Sequence, residues 1–164
     1  MICFVAYTGA RRSEAMRSQL QDLDFENRVI TIREKKRVRG RLSTRQVPMP
    51  EPLQIVLESW LADYPGTEFT FAEIKFGEES PSSISNDQAS NFFQKAFAKS
   101  KWGFLPGWHV FRHSFCSNCA AAGIEQRVIN QWVGHQTDEM VKRYRHCFPD
   151  RQNEQINRVF NAVA

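Results

Sequence analysis

The sequence predicts a mainly α chain with one small antiparallel β-sheet built on a hairpin, an α+β arrangement. Three observations carry this. Several segments place apolar residues at helical spacing. One pair of neighbouring runs reads as two short strands. The composition, 164 residues with 41% hydrophobic and 24% charged, is that of one globular domain of ordinary size. Such a chain buries a substantial core without disulfide staples. No run of about 18 apolar residues is present, so no helix is expected to span a bilayer. The opening MICFVAYTGARRSE has no basic region followed by a long apolar run, so no signal peptide is expected.

The elements follow in order. ICFVAY is an apolar run that stops at Thr8-Gly9, and Thr8 is expected to cap a helix through RRSEAMRSQL. Phe25 to Ile32 reads as a strand with Asn27 in a turn, and TRQVPMP as a second strand stopped by Pro48 and Pro50. The two make a long-tipped hairpin around Gly40. PEPLQIVLESWLADYP is an amphipathic helix with Leu53, Val56, Leu57, Trp60 and Leu61 on one face, ended by Pro65-Gly66. Residues 67–85 read as loop. Asn86 or Asp87 caps a helix that buries Ala89, Phe92, Phe93, Ala96 and Phe97. After the loop KWGFLPGW come the helical segments HVFRHSFCSNCAAAG, EQRVINQWVGH and DEMVKRYRH. Pro149 starts a last helix whose apolar face is Ile156, Val159, Phe160 and Val163.

Net charge is +4, which permits a nucleic-acid partner without demanding one. The cations are uneven. Between Arg33 and Arg45 stand Arg33, Lys35, Lys36, Arg37, Arg39, Arg41 and Arg45 against Glu34 alone, a pattern that also suits a solvated hairpin tip. Cys116 and Cys119 form a C-x-x-C, but no second pair follows and the surrounding pattern is helical. They read as small packed residues, in keeping with a reducing, intracellular setting.

Three separated fragments bear on chemistry: Thr8 to Glu14, His109 to His113, and Gly134-His135 followed nine residues on by Tyr144. Singly each is weak. His109 and His113 stand at zinc-binding spacing, yet Val110 occupies the place of the glutamate in H-E-x-x-H. Together the fragments hold the parts for phosphoryl transfer without a metal. Guanidinium forks match the non-bridging oxygens of a phosphodiester and stay charged at any working pH. Two of them, from Arg11 and Arg112, would supply electrostatic stabilisation. A tyrosine hydroxyl with a pKa near 10 needs a base to become a nucleophile, and a histidine suits that role. A hairpin lysine would return a proton to the leaving oxygen.

In order and spacing these fragments resemble the catalytic domain of the tyrosine site-specific recombinases, the phage integrase family. TGARRSE resembles the T-G-x-R-x-S-E box, HVFRHSF the H-x-L-R-H-x-F box, and WVGHQTDEMVKRYRH the L-G-H…Y-x-H box. The likeness runs from Tyr7 to about Cys147. Ala10, Phe111 and Val133 replace leucines of the pattern by other apolar residues.

The resemblance implies the tyrosine recombinase catalytic-domain fold over residues 1–164. It implies site-specific DNA recombination, integration or excision, by cleavage and rejoining through a 3′-phosphotyrosyl intermediate, with neither ATP nor metal. Tyr144 would be the nucleophile and Arg11 and Arg112 the phosphate clamp. His109 would be the general base, and His135 a hydrogen-bond donor to the phosphate. The catalytic lysine would be Lys36, with Lys35 as the alternative, since successive strand residues face opposite ways. Glu14 would support the site from behind, or be an ordinary surface charge. Arg37, Arg39 and Arg41 would contact the DNA backbone or be solvated.

Partners implied are double-stranded DNA and further copies of the chain, a tetramer on DNA, with the C-terminal segment docking on a neighbour or packing in cis. Members of the family usually carry an N-terminal DNA-binding domain; none is expected in this chain, so accessory partners would grip DNA and binding by this piece would be weak and salt-sensitive. A cytoplasmic, nucleoid-associated setting of bacterial, phage or mobile-element origin follows. The alternatives are an inactive DNA-binding domain of the same fold and a metal-dependent hydrolase using His109, His113 and His135. The intact set of Arg, Lys, His and Tyr argues against the first, and the lack of a carboxylate at ligand spacing against the second.

Overall fold

The computed structural model describes residues 1–38, 41–63, 67–73 and 82–134; of residues 35–38, 41, 42 and 73 it describes the backbone alone. The expected helices in DEMVKRYRH and after Pro149 lie outside the described residues. What is described is mainly helical with a three-stranded antiparallel sheet.

The apolar run at the start is itself a helix, α1 (Ile2–Thr8), burying Phe4 and Val5. Thr8 closes this helix rather than capping the next. Its hydroxyl donates to Phe4 O at 2.6 Å and accepts from Ala10 N at 3.2 Å. Gly9 follows in the left-handed region (φ 64°, ψ 14°), its N–H on Val5 O. The expected helix through RRSEAMRSQL is a single turn, α2 (Arg12–Ala15). It stops because the next backbone pairs elsewhere: Thr70 N donates to Ser18 O and Leu20 N to Glu68 O, both at 2.9 Å.

The sheet order is β1 (Leu23–Asp24), β2 (Val29–Val38), β3 (Arg41–Pro48). The long strand starts at Val29, not Phe25, because Asn27 N bonds Asp24 Oδ1 at 2.8 Å and Arg28 takes φ 55° in the turn. The pairing Ile30↔Val47 and Ile32↔Arg45 continues to Val38↔Arg41. The basic stretch is therefore largely paired strand rather than an extended loop at the hairpin tip. Arg33 pairs with Thr44 and Arg37 with Leu42, so residues 34–36 of β2 stand against Ser43 alone. Lys35 and Lys36 fall in this bulge, where strict alternation of faces no longer holds.

Ile30, Ile32 and Val47 meet Phe4, Phe71 and the inner side of α3 (Glu51–Ala62) in the main core. Leu53 and Leu57 of α3 are buried; Val56 and Trp60 are 42% and 45% exposed, contrary to the face predicted. Trp60 lies along the surface with its indole on Thr70 O. Residues 67–85 include two short paired strands, β4 (Ala72–Glu73) and β5 (Ser82–Ser83).

Helix α4 (Asn86–Phe97) is capped by Ser85 rather than by Asn86 or Asp87. Ser85 Oγ accepts from Gln88 N and Gln88 Oε1 from Ser85 N. Its buried stripe is Ala89 and Phe93, with Phe97 partly covered, while Phe92 and Ala96 face solvent. Phe93 packs on Trp108 at 5.4 Å and on Phe97 at 4.9 Å between ring centroids. Helices α5 (His109–Ala121) and α6 (Gln126–Val133) share a smaller core of Cys116, Ile129 and Val133. Both cysteines of the C-x-x-C are packed thiols outside any disulfide, and burial pushes the Cys119 thiol up to about 11.

Gly9 sits where α1, α5 and α6 converge. A Cβ there would lie 2.6 Å from Phe115 Cδ1 and 2.8 Å from Val133 Cγ1, at a positive φ as well. Gly9→Ala is expected to cost about 3 kcal/mol, from a left-handed penalty of roughly 1–2 and overpacking of about 1–3. Urea titration checks this; an unchanged midpoint would refute it.

Candidate active site

Arg11 stands at the N-terminal boundary of α2, its side chain 40% exposed. Glu14, one turn on, is 3% exposed and reaches back to it. Glu14 Oε2 accepts from Arg11 N at 2.7 Å and Oε1 from Arg11 Nη1 at 2.9 Å. Burial alone would raise the Glu14 carboxyl. The hydrogen bonds and charge of Arg45, joined by the hydrogen bonds of Arg11, outweigh it and hold Glu14 below the usual carboxylate range. The surface-charge alternative for Glu14 is corrected: a carboxylate this buried persists only because it is paired.

Arg112 comes from the first turn of α5 and is 3% exposed. Its Nη1 donates to Gly9 O at 2.8 Å. The Thr8-Gly9 turn therefore has a second task beyond ending α1, presenting a carbonyl that fixes this guanidinium. Burial, joined by the neighbouring charge of Arg11, lowers Arg112 to about 10. It remains a cation at neutral pH. Arg112 is thus tied to the Gly9 carbonyl, two residues before Arg11.

His109, one turn before Arg112, is exposed. With Arg11, Arg12, Ser90 and Gln94 it lines an open cleft of about 470 Å³. Arg12 donates to Ser90 Oγ at 2.8 Å across this cleft, tying α2 to α4. The first and second boxes thus meet: Arg11, Glu14 and Arg112 share one cluster, and His109 opens beside Arg11. Among the described residues, no group of three or more His, Cys, Asp or Glu is placed to hold a metal ion.

Tyr144, His135 and Arg39 lie outside the described residues, as do the side chains of Lys35, Lys36, Arg37 and Arg41. Sequence reasoning missed Arg45, grouping it with the hairpin cations. Its side chain is 8% exposed and pairs with Glu14 and Glu34. The signal lay in alternation: Arg45 shares a strand face with Val47, which is 1% exposed. Arg33 is likewise no tip residue, since its Nε bonds both carboxylate oxygens of Asp22, at 2.9 and 2.7 Å.

A mainly helical domain with a small three-stranded antiparallel sheet is the fold of the tyrosine recombinase catalytic domains. The Tn1549 transposon integrase, solved in complex with circular intermediate DNA, superposes with a TM-score of 0.71 at 25% identity, covering 94% of this chain and 55% of that one. The chain belongs to the phage integrase family, whose model matches residues 1–151. It is 26% identical over 156 residues to the tyrosine recombinase XerC of Oceanobacillus iheyensis, covering 90% of this chain and 48% of that protein. It is 24% identical over 161 residues to the tyrosine recombinase XerA of Pyrococcus furiosus, covering 92% and 50%. The chain thus spans about half the length of the curated relatives it matches. No described helix is long and apolar enough to cross a membrane.

Proposed function

We propose that this chain is the catalytic domain of a site-specific DNA recombinase that cuts and rejoins strands through a 3′-phosphotyrosyl intermediate. The observation that carries the reading is that the first two sequence boxes meet in the fold: Arg112 donates to Gly9 O, and Arg11, two residues on, is held by the buried Glu14. Membership of the phage integrase family supports it independently.

In this reading Tyr144 Oη attacks the scissile phosphorus and the bond to the 5′ oxygen breaks. The tyrosine proton passes to His109, and Lys36, or Lys35, protonates the leaving 5′ oxygen. Arg11 and Arg112 hold the non-bridging oxygens, with His135 adding a hydrogen bond. A 5′-hydroxyl of another strand then attacks the phosphotyrosine and restores the backbone, so bond energy is conserved and no nucleotide cofactor or metal takes part. Arg37, Arg39 and Arg41 contact the DNA backbone. Duplex DNA is the substrate, and copies of the chain assemble on it, as a tetramer, to exchange strands.

A nicked duplex that loses its 5′-hydroxyl fragment on cleavage traps the intermediate. Incubated with the chain in EDTA, it is expected to yield a covalent protein–DNA adduct that survives denaturing electrophoresis. DNA binding without an adduct would favour a binding module of the same fold. Cleavage that EDTA blocks would point to metal chemistry.

A further inference from the structure

Arg45 is the most connected cation among the described residues, and it lies outside all three sequence boxes. Its Nη2 donates to Glu14 Oε2 at 2.7 Å and its Nη1 to Glu14 Oε1 at 3.2 Å and Glu34 Oε1 at 3.0 Å. Its Nε donates to Trp132 O at 2.6 Å, near the C-terminal end of α6, where the helix dipole favours a cation. One planar fork therefore joins β3 to α2, to β2 and to α6. Lysine, a single point charge, cannot span these acceptors.

The surroundings show what the fork holds in place. Gly134, directly after α6, has φ 75°, and a Cβ there would lie 2.8 Å from Glu34 Oε1. That oxygen is held by Arg45, so the chain leaves α6 where glycine alone fits without displacing the pair. His135 is the next residue in sequence. Glu34 accepts from Ser43 Oγ at 2.6 Å and immediately precedes Lys35. Among the described residues, the charged groups acting on Glu14 include Arg11 from the edge of α2, Arg112 from α5, Arg45 from β3 and Glu34 from β2. From α6, among the described residues, the contact is the Trp132 carbonyl on Arg45.

We infer that Arg45 is a positioning residue that keeps the Arg11–Arg112 site cationic by neutralising Glu14, and that clamps the hairpin and the exit of α6 against it. The inference deepens the proposed strand-cleaving reading and rests on it. Without Arg45, two carboxylates face each other with less compensation, and ionised Glu14 competes with the DNA phosphate for Arg11.

Single-turnover adduct formation, followed against pH with folding checked by circular dichroism, tests this. Arg45→Ala is expected to lower the rate constant about 100-fold, as small misplacements at such sites do. Arg45→Lys, keeping charge without the fork, recovers part of the loss. Glu14→Gln slows the otherwise native chain, yet in the Arg45→Ala background it raises the rate about tenfold, because the two residues are coupled. Arg45→Ala also acquires an ionisation in its pH profile that the double variant lacks. A rate constant unchanged in Arg45→Ala, with loss confined to burst amplitude or thermal midpoint, overturns the inference and leaves a structural ion pair. If the unsubstituted chain forms no adduct, the strand-cleaving reading fails separately. The role of Arg45 is then decided by carboxyl 13C titration of Glu14: a pKa raised in Arg45→Ala upholds charge-setting, and an unchanged one overturns it.

Discussion

Tyr144→Phe is expected to leave no covalent protein–DNA adduct while duplex binding persists. The substitution removes one oxygen and keeps the ring, so it deletes only the atom proposed to attack. Loss of a nucleophile that no other group replaces costs about 10⁴-fold or more. The chain has three tyrosines, Tyr7, Tyr64 and Tyr144, so the result is diagnostic. Tyr7 is 40% exposed on α1 and accessible to solvent. Denaturing electrophoresis of the nicked-duplex reaction reads the outcome directly. An adduct that survives Tyr144→Phe would move the assignment to another residue.

Arg112→Lys is expected to lower single-turnover cleavage about 10²- to 10³-fold, the range for losing one preorganised donor at developing charge. Two physical effects combine. The ammonium cannot both bond the Gly9 carbonyl and fork onto a phosphate, as the guanidinium can. Charge is the second effect. Burial and the charge of Arg11 hold the arginine at about 10, so it stays protonated in the working range. A lysine starts from about 10.4 and meets the same burial and repulsion, which depress it toward neutrality. The substituted ammonium is charged only below its depressed value, so it loses its proton as pH rises. The deficit of this variant should therefore widen between about pH 6 and about pH 9, while the arginine form shows no such added dependence. Activity within about threefold of the native chain at every pH would refute the clamp role.

The two box segments were legible in sequence because their information is local. Thr8 to Glu14 occupies two successive turns, and His109 and Arg112 sit one turn apart on a helix whose period is evident. The α4 stripe of Ala89 and Phe93 and the pairing of two short strands were legible for the same reason. Errors gathered where a neighbour in space overrode a local preference. Thr8 is a good N-cap by type, but Phe4 O lies within reach of its hydroxyl, so it closes α1 instead. The second helix is cut to one turn because the backbone at 18–20 pairs with residues 68–70. Phe92 and Trp60 fit an apolar stripe on paper, yet no described element covers them fully.

The sequence by itself determined the family, the mainly helical class and the candidates for meeting an anion, since box spacing and periodicity are properties of the chain alone. Only the tertiary structure decided which charges are solvated and which are paired. Arg45 reads as one more hairpin cation and Glu14 as either a support of the site or a surface charge, because their letters carry no record of burial. They become a buried pair because Glu14, 31 residues away, and the Trp132 carbonyl, 87 residues away, arrive at one guanidinium. A charge is stable out of water only beside its partner, and the fold is what supplies the partner.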